Sequence, residues 1–369
     1  MENLMQIRPT KIVVNLEAIK ENVRNLSSRL NENVQIIAVV KANAYGHGDV
    51  NVARAALEAG ASMLAVATPE EAVHIRTHFP HVGILILGAS PIQFAEYAAV
   101  HNISLTVFSA EWINQLPHLE QQLKIHMKID SGMGRIGVTN ETQLLELYNS
   151  IVKRNDVEIE GVFTHFATAD EEETTYFDKQ IEKFVQLLNV LPKRPKIVHV
   201  ANTATALIKS PEYQFDAVRY GISMYGLAPS SYVESVLPFA LQPALTLETE
   251  LVHVKKLEKG EGVGYGATFV ADETSYIGTI PIGYADGMIR KLTGIDVLIG
   301  GKRAPIIGRI CMDQCMILLP EAYNIGERVV LIGNMGNESI SIDDWAEKLD
   351  TINYEIPCIL THRIPRFYE

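Results

Sequence analysis

Eight short apolar runs punctuate the first two thirds of the chain, at 34–40, 62–67, 83–87, 103–108, 124–129, 159–166, 196–200 and 217–220. Runs that are apolar throughout, rather than alternating, predict strands buried on both faces. Between them the period changes. Ile19, Val23, Leu26 and Leu30 recur at helical spacing behind Asn15, a good N-cap residue. Further helical patterns cover 52–57, 70–75, 144–151 and 177–188. Strands that alternate with helices predict parallel βα units, and eight of them favour a closed TIM-type (β/α)8 barrel over an open doubly wound sheet.

Past residue 240 or so the texture differs. The stretch 245–254 alternates apolar and polar residues, as one half-exposed antiparallel strand would. Glycines cluster at 260, 262, 264 and 266 and again at 278, 283, 287, 300 and 301, and short β-rich runs follow at 277–282, 297–299, 316–319 and 329–332. This pattern predicts a separate, mostly-β C-terminal domain, with 230–243 as the boundary segment. The predicted division is a barrel at 12–240 and a β-rich domain at 241–369. The glycine run lacks the helix and the downstream acid of a dinucleotide loop, so these glycines read as strand bends.

A length of 369 residues fits two domains. No apolar run reaches the ~18–20 residues of a membrane span, and the N-terminus lacks the basic-then-apolar order of a signal peptide. The three cysteines, Cys311, Cys315 and Cys358, are odd in number and lack zinc-site spacing, so no metal is expected and a cytoplasmic, reduced setting is. A formal charge of −12 argues against nucleic acid as a partner.

A barrel predicts chemistry at the C-terminal ends of its strands. Lys41 ends the first run, Arg135 follows the fifth, His165 ends the sixth, Asn202 and Thr203 follow the seventh, and Arg219 with Gly221 closes the eighth. Each alone reads more readily as structural; their convergence on one mouth predicts a site. A partly desolvated lysine is a usable nucleophile toward carbonyl groups, the aldehyde of pyridoxal phosphate included. Thr203 would open a helix and offer a hydroxyl to an anion, while Gly221 would let its own amide and that of Ile222 approach phosphate closely.

The stretch Lys41-Ala42-Asn43-Ala44-Tyr45-Gly46-His47-Gly48 resembles the cofactor-lysine signature of alanine racemases. Further matching segments are Gly132-Met133-Gly134-Arg135-Ile136-Gly137, Thr164-His165-Phe166-Ala167 and Arg219-Tyr220-Gly221-Ile222. In the second domain they are Gly264-Tyr265-Gly266, 282–287, 308–314 and Asn353-Tyr354-Glu355. The resemblance implies a barrel followed by a β domain onto which residues 1–11 pair, and a head-to-tail homodimer with shared sites. It implies pyridoxal 5'-phosphate held by Lys41, with Tyr45, Thr203, Gly221, Ile222 and Tyr354 at the phosphate, His165 along the ring and Arg219 at the ring nitrogen. Arg135 and the amide of Met312 would hold the substrate carboxylate, and Lys128 would be carbamylated to orient Arg135. Tyr265 and Met312 would come from the partner subunit. Thr203 departs from the serine usual in the family, keeping the hydroxyl and adding a methyl.

The implied reaction is interconversion of L- and D-alanine, supplying D-alanine for cell-wall precursors. Racemisation needs the α-proton removed on one face and returned on the other, which two fixed bases, Lys41 and Tyr265, can do by exchanging roles. A free tyrosine is a poor base at neutral pH, so Tyr265 needs help; the resemblance implies a chain through His165 to Arg219. An arginine stays charged and leaves the ring nitrogen unprotonated, which limits delocalisation and suppresses transamination. Tyr265, Tyr284 and Tyr354 crowding the entrance would favour a methyl side chain. Two other readings stay open. A barrel-type pyridoxal phosphate decarboxylase would bring a Gly-rich phosphate loop and a carboxylate at the ring nitrogen. A pyridoxal phosphate carrier would leave the second domain unexplained.

Overall fold

The structure, a computed structural model, describes residues 7–369. The chain divides into two compact units. One comprises Glu17–Ala44 and Asp49–Pro243; the other comprises Ala244–Glu369 together with Tyr45–Gly48 and the described residues up to Leu16.

Strand β1 (Lys11–Val14) precedes eight strands of the first unit. These are β2 (Gln35–Val39), β3 (Met63–Val66), β4 (Gly83–Ile86), β5 (Ile103–Val107), β6 (Leu123–Lys128), β7 (Val157–Phe163), β8 (Ile197–His199) and β9 (Ala217–Tyr220). They pair in the order β8-β7-β6-β5-β4-β3-β2-β9, every pair parallel. The two ends of that path meet, since Asp216 N–H donates to Val198 O and Arg219 N–H to Ala201 O, each at 3.0 Å. The barrel is therefore closed. All eight apolar runs became its strands, because a barrel strand is covered by side chains inside and helices outside; every residue of β3 and β5 is buried. Helix Leu16–Ser27 buries Ile19, Val23 and Leu26, the periodic positions, against the wall.

One irregularity matters for the interior. Between β6 and β7 the register shifts, so that Ile125 faces Ile159 while His126 faces Gly161, and Glu160 is the extra residue of a bulge. A side chain at Gly161 would begin inside van der Waals contact with the His126 ring and 2.8 Å from Ile197 O. Gly161→Ala is accordingly expected to destabilise the barrel by about 1–3 kcal/mol, the usual cost of overpacking. Denaturant titration of the variant checks it, through a lowered unfolding midpoint.

The second unit is mostly β. Its long sheet runs His253–Leu257, Ser275–Ile280, Cys315–Leu319, Lys302–Ile307, Asp296–Ile299, Arg328–Met335, Leu245–Glu250, β1, Arg366–Tyr368. Residues 12–16, expected in the barrel, run with this sheet instead: β1 pairs antiparallel with Leu245–Glu250 and parallel with Arg366–Tyr368. Of the expected pairing by residues 1–11, positions 1–6 lie outside the described residues, while Lys11 pairs with Glu248 and Arg8 holds both oxygens of buried Asp286 at 2.9 and 3.0 Å. The single strand expected at 245–254 is two. At Leu251 and Val252 the chain leaves Arg328–Met335 and joins Ser275–Ile280, with Leu251 N–H on Glu327 O and Val252 N–H on Thr279 O. A helix, Ile342–Leu349, sits where none was expected; Ser341 and Asp344 form its capping box. Among the described residues no helix is long and apolar enough to cross a membrane.

Candidate active site

The chain leaves β2 into an unusual turn. Ala42, Asn43, Ala44 and Tyr45 all have φ between 51° and 53°, a left-handed turn that starts directly after Lys41. For residues other than glycine this conformation costs roughly 1–2 kcal/mol each, so the surroundings must hold it. Ala44 N–H reaches Val40 O at 2.9 Å. Ala42 N–H donates to Glu71 Oε1 at 2.7 Å, while Glu71 Oε2 takes Ala67 N–H at 2.7 Å and completes the capping box of helix Pro69–His78. Asn43 Oδ1 accepts from Asp49 N–H at 3.1 Å. In the other unit, Gly46 lies against the carbonyl of Pro357 so closely that a Cβ would clash, and the Tyr45 ring is 6.1 Å from that of Tyr354. Burial, aided by Cys358, pushes the Tyr45 hydroxyl up, so it stays a neutral donor. Backbone strain of this kind collects at functional sites. Glu71 was missed in the sequence; its capping-box spacing after Thr68 was the available signal.

Further round the barrel, the loop carrying Arg135 is pinned at both ends. Asp130 N–H donates to Val138 O and Val138 N–H to Lys128 O, and Asp130 Oδ1 accepts from Gly132 and Gly134 N–H at 2.9 and 3.1 Å. Arg135 itself is exposed. Lys128 is 3% exposed; its Nζ has no hydrogen-bond partner and stands 4.4 Å over the Phe163 ring. Burial, with Arg219 and Arg135 beside it, drives its ammonium well below the usual lysine range, Asp130 alone opposing. Lys128 is thus a buried amine without a hydrogen-bond partner, whose charged form its surroundings disfavour.

His165 follows β7, and Gln180 clasps the backbone around it, accepting Ala167 N–H at 2.8 Å and donating to His165 O at 3.3 Å. Its Nδ1 faces Arg219 Nη2 at 3.4 Å. Because a guanidinium only donates, Nδ1 is the acceptor and the ring proton sits on Nε2. Burial, then Arg219, Lys128, Arg135 and Lys41, keep the imidazole well below its ordinary range and hence neutral. These same four cations therefore converge on His165.

Arg219 is fixed from inside. Nη1 donates to His199 O and faces His199 Nδ1, each at 2.8 Å; Nη2 donates to Thr164 O at 2.8 Å and Val200 O at 3.1 Å. Its Nε makes no hydrogen bond to the described residues. Thr203 is the first residue of a short helix capped by Asn202, whose Oδ1 accepts from Thr205 N–H at 3.0 Å. Gly221 N–H donates to Thr203 Oγ1 at 2.9 Å, which leaves the threonine's own proton to be donated. Ile222 beside it is buried.

Tyr265 and Met312 fall in the second unit and are 70% and 53% exposed. Tyr265 lies between Gly264 and Gly266, at φ 70° and 73°. The Met312 loop is carried on 283–285: Tyr284 N–H bonds Cys311 O at 3.1 Å and Ala285 N–H bonds Met312 O at 3.0 Å. Arg363, 3.5 Å from Asp286, binds Asp313 at 2.8 Å.

Two family models match the chain, the alanine racemase N-terminal domain over residues 14–229 and the alanine racemase C-terminal domain over 244–368. An alanine racemase of Geobacillus kaustophilus is 51% identical over 364 residues, 98% of this chain and 94% of that one. Among solved structures, the alanine racemase of Bacillus anthracis with bound L-Ala-P is 45% identical with a TM-score of 0.96, covering 99% of this chain and 96% of that one. A histidine racemase of Leuconostoc mesenteroides is 32% identical with a TM-score of 0.93, covering 99% of each chain. The chain belongs to the alanine racemase family.

Proposed function

We propose that the chain interconverts L- and D-alanine by a two-base mechanism with pyridoxal 5'-phosphate, and that it supplies D-alanine for cell-wall precursors. The observation that carries this is the charge inventory of the barrel mouth. Lys41, Lys128, Arg135 and Arg219 all act on His165, and only Asp130 opposes among the charges acting on Lys128. Such a mouth suits a ligand bringing a phosphate and a carboxylate. The orphan Arg219 Nε–H also suits a ring nitrogen that carries a lone pair and no proton. On these grounds the residues fit the cofactor.

Lys41 would hold it covalently, Tyr45, Thr203, Gly221, Ile222 and Tyr354 its phosphate, and Arg219 its ring nitrogen. When bound, the group supplies an electron sink that acidifies the α-proton of an amino acid. The chain's own residues then decide where that proton goes. The Lys41 amine takes or returns it on one face, and Tyr265 of the partner subunit does so on the other. His165, with its proton on Nε2, can donate to the Tyr265 oxygen. Arg135 and the Met312 amide of the partner subunit orient the substrate carboxylate. Carbamylation of Lys128, a buried amine whose charged form Arg219 and Arg135 disfavour, would turn it into the anion that holds Arg135. The exposure of Tyr265 and Met312 in a single chain supports their placement in a partner's site, and the homodimer that this requires.

The second-domain match from 244 to 368 leaves the carrier reading without support, and the family match does the same for the decarboxylase. The mechanism is tested in D2O with L-alanine. Two bases predict that the first D-alanine formed carries deuterium at the α-carbon while recovered L-alanine is still largely undeuterated. First-formed D-alanine that keeps the substrate's own α-hydrogen would mean one base carrying it across.

A further inference from the structure

A polar thread crosses the barrel interior that none of these roles uses. It begins where Arg219 Nη1 meets His199 Nδ1 at 2.8 Å. His199 Nε2 lies 2.8 Å from His126 Nδ1, and His126 Nε2 lies 3.0 Å from Glu160 Oε2. That same oxygen accepts from Ser104 Oγ at 2.5 Å. The five residues belong to β9, β8, β6, β7 and β5, and both imidazoles are 0% exposed.

The direction of the thread is forced by its ends. A guanidinium has only donors and a carboxylate only acceptors. His199 Nδ1 must therefore accept, which puts its proton on Nε2. That proton makes His126 Nδ1 an acceptor in turn, and the His126 proton on Nε2 goes to Glu160. Reversing any link would set two N–H groups against each other. Burial and Arg219 hold His199 far below the ordinary imidazole range, so it is neutral. Burial pushes the Glu160 carboxyl up, but bonds from His126 and Ser104, and the nearby Lys124, outweigh it and hold it at about 2.

The backbone is built around this thread. The bulge makes Glu160 the extra residue of β7, and bulges re-aim side chains next to active sites. Gly161 is the residue whose missing Cβ leaves room for the His126 ring. Buried polar groups cost stability against a well-packed apolar core, and this set terminates on the arginine at the barrel mouth.

We propose that Glu160, His126 and His199 are positioning residues for the racemisation, a one-way hydrogen-bond relay that keeps Arg219 charged and fixed so that its Nε–H faces the cofactor. The proposal rests on the function given above, and its test separates the two.

The first measurement is 15N NMR of the cofactor-loaded protein labelled at histidine, with signals assigned by their loss in His126→Gln and His199→Gln. Both rings should carry one proton, on Nε2; a proton on Nδ1 of either ring overturns the relay. The second is Glu160→Gln, which keeps shape and an acceptor oxygen but removes the charge. For alanine racemisation kcat should fall about tenfold while KM changes by less than about twofold. A kcat within twofold of wild type, or a loss carried by KM, overturns the proposal, even where the unfolding midpoint drops. Wild-type protein that fails to racemise alanine would refute the activity instead and leave the tautomer result standing.

Discussion

Lys41→Ala is expected to lower alanine racemisation by about 10⁴-fold or more, because it removes the cofactor's covalent anchor and one of the two bases together. No other lysine is placed to substitute. Lys128, the other lysine among the cations acting on His165, is 3% exposed and has its Nζ packed over the Phe163 ring. The variant should still fold, since the left-handed turn begins at Ala42 and is held through Glu71, Asn43 and Val40. Borohydride reduction of the loaded wild-type protein followed by peptide mass mapping should find the pyridoxyl group on Lys41. Finding it on Lys128 would contradict the assignment.

The second large effect concerns the shared site. Lys41→Ala and Tyr265→Ala should each be nearly inactive as pure homodimers. Unfolded together and refolded as a mixture, they should form heterodimers in which one site carries both changes and the other neither. With random pairing about half the dimers are mixed, each with one intact site of two, so roughly a quarter of wild-type activity should return. Were the site built within one chain, every site would keep its own defect. Heterodimers confirmed by mass without regained activity would therefore remove Tyr265 from the partner's site.

The barrel was legible because its strands are covered on both faces, and the eight apolar runs carry that constraint in their composition. The second unit was less so. Strand Lys302–Ile307 opens on Lys302 and Arg303 and contains Pro305, which masks its pairing with Asp296–Ile299. The ring of strand-end residues could be read because strand ends follow from strands. What neighbours those ends could not. Four successive residues enter the left-handed region after Lys41, and only Asn43 among them tolerates it readily. His126 and Glu160 are 34 positions apart, and a bulge that no local pattern announces brings them together. Glycine 161 reads as an ordinary strand glycine until the imidazole against it is seen.

The central claim is that this mouth turns over alanine, and the relationship to a histidine racemase gives the sharpest contrast. The measurement is chiral chromatography of the loaded protein after separate incubation with L-alanine, D-alanine and L-histidine. The account predicts that both alanine enantiomers converge on equal amounts of L and D, with histidine turned over far more slowly. Histidine racemised as fast as alanine, or alanine left unchanged by protein that has bound its cofactor, would contradict it.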